Sequence, residues 1–215
     1  MQLKHKRTES LFAHDRAFLP LTVAGMDEAG RGPLSGPVVA ACVIMPLDTP
    51  VDFIDDSKKL SEKRREQLYE QILSTAIAVG IGQADQTEID SVNILNATKA
   101  AMQRAVSAMG NPPDLLLIDA VKGLNVPCKM ESIIKGDATS YSIAAASIVA
   151  KVTRDRIMRA LDETYPQYGF AKNKGYGTAA HIEALKQYGA CPVHRQTFIK
   201  NFVDGAATES GDDSE

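Results

Sequence analysis

Apolar residues in the first half of the chain fall into three runs, 21–28, 37–46 and 75–84. Each is closed by charge, glycine or proline, and each is read as a β-strand. In the third, Ile77, Val79 and Ile81 alternate with Ala78, Gly80 and Gly82, so one face of that strand is bulky and the other nearly bare. Residues 61–73 carry helical spacing, with Leu68 and Ile72 on one side and Ser61 placed to cap the first turn. Thr87-Glu88-Ile89-Asp90 has the form of a capping box opening a helical region that continues through 93–109. Asp114-Leu115-Leu116-Leu117-Ile118-Asp119 is a short continuous apolar run, the pattern of a central strand covered on both faces. A fifth strand is expected around 128–135, then a long Ala/Ser-rich helix over 138–160 and shorter helices near 178–188 and 195–203. Strands first, then strands alternating with helices, predict an α/β fold whose mixed sheet is flanked by helices.

Composition changes this picture little. The 215 residues suit one large domain, or one domain with a modest helical extension. The longest apolar stretches, 37–47 and 143–150, are too short to cross a bilayer, so no membrane partner is expected. No uninterrupted apolar segment follows the basic N-terminus, and no secretory signal is read. Cys42, Cys128 and Cys191 show neither zinc spacing nor a disulfide framework, which suggests a reducing, cytoplasmic location. No association motif stands out, and a monomer is the expectation.

Charge matters more. The net charge of −3 is dominated by residues 204–215, which hold five acids and no base; the rest carries 24 basic against 22 acidic residues. That balance permits a local basic groove. The tail has nothing to bury and is read as disordered.

Candidate chemistry concentrates where the first strand stops. Asp27 and Glu28 run into Ala29-Gly30-Arg31-Gly32-Pro33, a loop whose glycines let backbone N–H groups approach a ligand closely. Asp119 closes the buried strand and Asp137 precedes the long helix, so four acids lie at element ends, where α/β sheets gather their ligands. All-oxygen donors without a His/Cys cluster suit hard cations, Mn²⁺ or Mg²⁺, rather than zinc. Each acid also has a plainer reading. Asp137 alone would make an ordinary helix cap, and consecutive strand residues such as Asp27 and Glu28 point to opposite faces unless the strand ends or twists there.

The blocks Gly25-Met26-Asp27-Glu28-Ala29-Gly30-Arg31-Gly32-Pro33, Asp56-Ser57-Lys58-Lys59-Leu60-Ser61, Leu117-Ile118-Asp119-Ala120 and Ile133-Ile134-Lys135-Gly136-Asp137 resemble those of the type 2 ribonucleases H, specifically bacterial ribonuclease HII. So do Ser142 through Asp155, Asn173-Lys174-Gly175-Tyr176-Gly177 and His194-Arg195-Gln196-Thr197-Phe198. The likeness covers roughly 20–203. Residues 1–19 fall outside it as an N-terminal leader, and 204–215 as the acidic tail. Met26 and Ser35 depart from the usual Val or Ile and Ala, away from the chemistry.

The resemblance implies a ribonuclease H-like core with a C-terminal helical extension. It also implies an endonuclease that cleaves the RNA strand of RNA–DNA hybrids and incises 5′ of single ribonucleotides embedded in duplex DNA. Asp27, Glu28, Asp119 and Asp137 become its metal-binding and catalytic acids, holding two divalent cations, Mn²⁺ or Mg²⁺, with 3′-hydroxyl and 5′-phosphate products. Gly30, Arg31 and Gly32 become the ribose 2′-hydroxyl reader, with Tyr176 stacking on the following sugar. Lys58, Lys59, Lys122, Lys135, Lys172 and Lys174 lie in motif loops where they can hold backbone phosphates, Lys58 foremost; a solvated surface role is the plainer reading for any one of them, and only some are expected to matter. His181 and His194 have no partner visible in the sequence and are read as structural. Residues 196–203 loosely resemble a sliding-clamp peptide, but an amphipathic terminal helix explains them as well, and no clamp contact is expected.

Overall fold

A computed structural model describes residues 2–119 and 121–203. Its centre is a five-stranded sheet. Strands β1 (Val23–Ala29), β2 (Val38–Ile44) and β3 (Ala78–Ala84) form an antiparallel meander, and β4 (Leu115–Asp119) and β5 (Lys129–Ile133) join β1 in parallel, giving the order β3-β2-β1-β4-β5. The mixed sheet read from the sequence is therefore present, with all five strands inside or within a residue of the expected runs.

Helices cover both faces. One carries α5 (Tyr141–Thr164) with α1 (Gln2–Arg16) and α2 (Glu62–Thr75) against it; the other carries α4 (Ile94–Ala108), preceded by α3 (Gln86–Val92). The short α6 (Phe170–Asn173), α7 (Ala179–Tyr188) and α8 (Gln196–Val203) enclose a small apolar cluster of their own around Phe170, Leu185 and Ile199. The uneven faces of β3 now have a cause. A Cβ on Gly80 or Gly82 would sit 1.9 Å from the Ala105 carbonyl or 2.1 Å from that of Ala101, so the bare face lets α4 lie directly on the strand. On the opposite side of the sheet, Gly25 lies against the first turn of α5, where a Cβ would meet the Ser142 carbonyl carbon at 2.0 Å.

Three local expectations are corrected. Asp85, not Thr87, caps α3, accepting from the Glu88 N–H at 2.8 Å, while the Glu88 carboxylate turns to Arg104. The helical stretch is broken at Asn93, whose φ of 68° ends α3 and whose side chain caps α4. The long helix opens at Tyr141 rather than 138, because Ser140 supplies the cap to the Ile143 N–H at 3.2 Å. Ser61 caps α2 as expected.

Residues 2–16, which lie before the family-like part of the sequence, form helix α1. It packs Leu11 and Phe12 into the α5 side of the core. Its buried Asp15 accepts from the Ser142 N–H at 2.7 Å and the Ser140 hydroxyl at 3.0 Å, binding two donors that would otherwise be stranded at the start of α5. The tail from 204 lies outside the described residues.

Candidate active site

The parallel pairing of β1 with β4 places two of the acids. Ala24, Met26, Leu116 and Ile118 face α4, whereas Val23, Leu115 and Leu117 face α5. The alternation puts Asp27 and Asp119 on the α5 side, one position beyond the Met26–Ile118 register pair. Asp137 reaches the same rim from the 3₁₀ turn Gly136–Ala138, which follows β5. Since Ser140 does the capping, the Asp137 carboxylate is released from that duty. The turn is tied to Asp119 through the Gly136 N–H, which donates to its Oδ1 at 3.0 Å.

Glu28 presents the difficulty raised by alternation. β1 does not stop there; its pairing with β2 continues to Ala29. Even so, Asp27 and Glu28 both line one cleft of about 230 Å³, together with Gly30, Arg31, Gly32, Ser57, Lys58 and Tyr176. At the end of the strand, side chains from either face reach the same opening.

Electrostatics mark this rim as crowded. Burial, then Glu28, Asp119 and Asp137, hold Asp27 well above the ordinary carboxylate range, against a lowering contribution from the Glu28 N–H, which donates to its Oδ1 at 2.8 Å. Burial also raises Glu28, with Arg31 pulling the other way and Asp119 adding to the rise. Asp137 is raised by burial and by Asp56, and lowered by Lys58, whose ammonium stands 3.5 Å from its Oδ2. Burial depresses Lys58, but Asp137, Asp27 and Asp56 outweigh it, and its pKa rises overall.

A divalent cation fits this donor set. Glu28 Oε2 is buried with no hydrogen-bond partner, a costly state for a carboxylate oxygen unless something positive completes it. Among the described residues no group of three or more His, Cys, Asp or Glu side chains stands close enough together to hold a metal ion. Asp27 and Glu28 line the cleft, whereas Asp119 and Asp137 are not among its lining residues and act on Asp27 through their charge.

The loop beside the acids is built differently. Gly30 has a φ of 99°, a conformation that favours glycine, and its added Cβ would strike the Arg154 side chain at 2.0 Å. Beneath the loop lie two buried guanidinium groups. Arg154 donates to the carbonyls of Pro37, Ser35 and Lys174 at 2.9–3.1 Å. Arg195 donates to those of Gly30 (2.6 Å), Arg31 (2.9 Å) and Gly36 (2.9 and 3.0 Å). Burial pulls Arg195 down to about 9 and Arg154 down to about 10, so both remain charged at neutral pH.

Tyr176 is half exposed, with its ring edge 3.9 Å from where a Gly32 Cβ would sit. Its carbonyl lies 2.9 Å from His181 Nδ1, whose Nε2 is 3.0 Å from His194 Nε2; the Cys191 N–H donates to His194 Nδ1 at 3.0 Å. A carbonyl can only accept and an N–H can only donate, so His181 carries Nδ1–H; His194 Nδ1 lies 3.0 Å from the Cys191 N–H and 3.3 Å from the Cys191 carbonyl, and accepting at the shorter contact leaves its Nε2–H to donate to His181. The histidines that lacked a visible partner are each other's. Burial and the neighbouring His181 push His194 down to about 4, which keeps the pair neutral.

Other sequence-predicted contacts divide. Lys58 borders the acids, and Arg31 reaches Glu28 at 3.4 Å. Lys59 faces Asp56 at 3.5 Å, and the Lys174 ammonium donates to the Ala171 carbonyl. Sequence reading assigned no role to Ser147, Lys151 or Arg154, which also line the cleft. Their spacing of i, i+4, i+7 on α5 was the available signal.

The sequence model of the ribonuclease HII family matches residues 24–201. The chain belongs to the ribonuclease HII family. Ribonuclease HII of Acetivibrio thermocellus is 59% identical over 181 residues, spanning 84% of this chain and 71% of that protein. The crystal structure of ribonuclease H2 from Pyrococcus horikoshii superposes with a TM-score of 0.73 at 26% identity, covering 86% of this chain and 99% of the other. Bst-RNase HIII, solved in complex with Mn²⁺, shares the fold at a TM-score of 0.68 and 17% identity, over 90% of this chain and 73% of its own. As a member of the ribonuclease HII family, the chain is a nuclease, a hydrolase with ribonuclease H activity on RNA–DNA hybrids. Among the described residues no helix is long and apolar enough to cross a membrane.

Proposed function

We propose that the cleft incises nucleic acid duplexes on the 5′ side of a ribonucleotide, including a single one embedded in DNA, with Asp27, Glu28, Asp119 and Asp137 as the acids that hold divalent cations. The observation that carries this reading is the shared opening. The buried, unpartnered Glu28 oxygen, Asp27, the Gly30–Gly32 loop and Tyr176 all line one cleft. Two Mg²⁺ or Mn²⁺ ions bound there would supply Lewis acidity for in-line attack of water on the phosphodiester, giving 3′-hydroxyl and 5′-phosphate ends.

The chain's own groups do the rest. Because the carboxylate pKa values are raised, protons compete with cations for these oxygens at a higher pH than for ordinary carboxylates, and activity falls on acidification. Lys58, 78% exposed beyond its contact with Asp137, is free to swing toward a backbone phosphate. Distinguishing ribose from deoxyribose requires a contact to the 2′-hydroxyl. Backbone N–H groups of Arg31 and Gly32 suit that task because they have no rotamer to lose, and Tyr176 beside them offers a flat face to the adjoining sugar.

Incubating a DNA duplex that contains one ribonucleotide with the protein and Mg²⁺ or Mn²⁺, then mapping the cut, decides the matter. Incision 5′ of the ribonucleotide is the expected result. Binding without cleavage, or cleavage confined to branched DNA, overturns the reading.

A further inference from the structure

Arg195 is wholly buried, and among the described residues its guanidinium makes no ion pair; its four hydrogen bonds all end on backbone carbonyls of the 30–36 loop. A fixed planar fork is suited to this, since it can hold several carbonyls in one arrangement that a single ammonium cannot reproduce. The consequence lies on the other side of each peptide. In a trans peptide the N–H points opposite to the preceding C=O, and the cis bond among the described residues is Leu19–Pro20, far from this loop. Drawing the Gly30 carbonyl down onto Arg195 therefore turns the Arg31 N–H up, and drawing down the Arg31 carbonyl turns up the Gly32 N–H. Gly36, the third carbonyl held, precedes Pro37, which has no N–H to present.

We propose that Arg195 is the positioning residue for ribose recognition: by gripping the Gly30 and Arg31 carbonyls from beneath, it aims the Arg31 and Gly32 N–H groups into the cleft as a preset pair of donors. This rests on the ribose-reading role proposed above for that loop. Two further features support it. The buried positive charge polarises both peptides in the direction that strengthens their outward N–H donors. The residue next to Arg195, His194, is joined through His181 to the Tyr176 carbonyl, and Arg154 links the loop to Lys174, so donors and Tyr176 are braced by one assembly.

The test compares the wild-type chain with Arg195→Lys, which keeps the charge and loses the fork. The substrate is a DNA duplex with one ribonucleotide in Mg²⁺, and the all-deoxy duplex of the same sequence serves as competitor. Rates are taken per folded molecule, with the folded fraction measured by circular dichroism. The expected result is a fall of at least about tenfold in kcat/KM for the ribonucleotide duplex, with the inhibition constant of the all-deoxy competitor unchanged. A merely structural Arg195 leaves both constants as they were, and that outcome overturns the inference. If the wild type itself processes the two duplexes alike, the underlying ribose reading fails instead. Should Arg195→Lys not fold, Arg195→Gln, which buries no charge, takes its place with the same outcomes deciding.

Discussion

The two halves of the cleft are finished to different degrees. On the acidic side, Glu28 Oε2 has no partner, and Asp27 carries a raised pKa to which the charges of Glu28, Asp119 and Asp137 add. On the loop side, Arg154 and Arg195 place seven hydrogen bonds on backbone carbonyls. Chemistry needs groups whose demand for positive charge is left open until reactants arrive, whereas selection needs donors already fixed, so that the wrong sugar gains nothing by rearrangement.

The sharpest way to break the contrast is to neutralise one acid. Asp119→Asn should lower turnover by at least about 10³-fold while leaving the melting midpoint no lower, because the change relieves repulsion. Loss of folding would show instead that Asp119 serves the scaffold. The loop side should respond in the reverse order. Gly30→Ala forces a side chain into a φ of 99° and onto Arg154, and we expect a loss of about 1–3 kcal/mol of stability, read by urea denaturation; an unchanged midpoint would mean that the loop is less tightly held than its hydrogen bonds indicate.

The smallest effect concerns pH. Asp27, Glu28 and Asp137 hold protons more tightly in the folded chain than in the unfolded one. The stability they lend is thus complete below the ordinary carboxylate range and disappears as pH rises through their elevated values. At pH 7 without divalent cations, Asp27→Asn should melt about 2–4 °C higher than wild type, the shift about 1 kcal/mol produces in a chain this size. The gap should close on acidification. A lower midpoint for the variant at pH 7 would show that the Asp27 charge is stabilising.

Sequence alone went far with the fold because period-two runs and turn residues mark strands locally: all five were legible. It failed where two local signals competed. Asp85 and Thr87 both suit a helix start, as do Asp137 and Ser140, and only the packed chain shows that Asp85 and Ser140 take the caps. That Asp27, Glu28 and the Gly30–Gly32 loop would share one opening was readable, because charge and glycine sit at a strand end. The grip of Arg195 was not, since the contact spans some 160 residues and its acceptors are carbonyls, which every residue has. His181 and His194 were equally opaque: each one's partner is the other, thirteen positions away across a turn.

One consequence follows from the way β1 lies along α5. Gly25 lies against the helix at Ser142, and Gly30, just past the strand, lies against it at Arg154, so the chain and the helix run alongside each other up to the cleft. A rod of 24 residues is about 36 Å long and does not bend easily. Under the proposed function this stiffness would hold the Gly30–Gly32 loop at a fixed distance from Asp27 and Glu28, and incision should fall at a constant offset from the ribonucleotide, whatever the flanking bases.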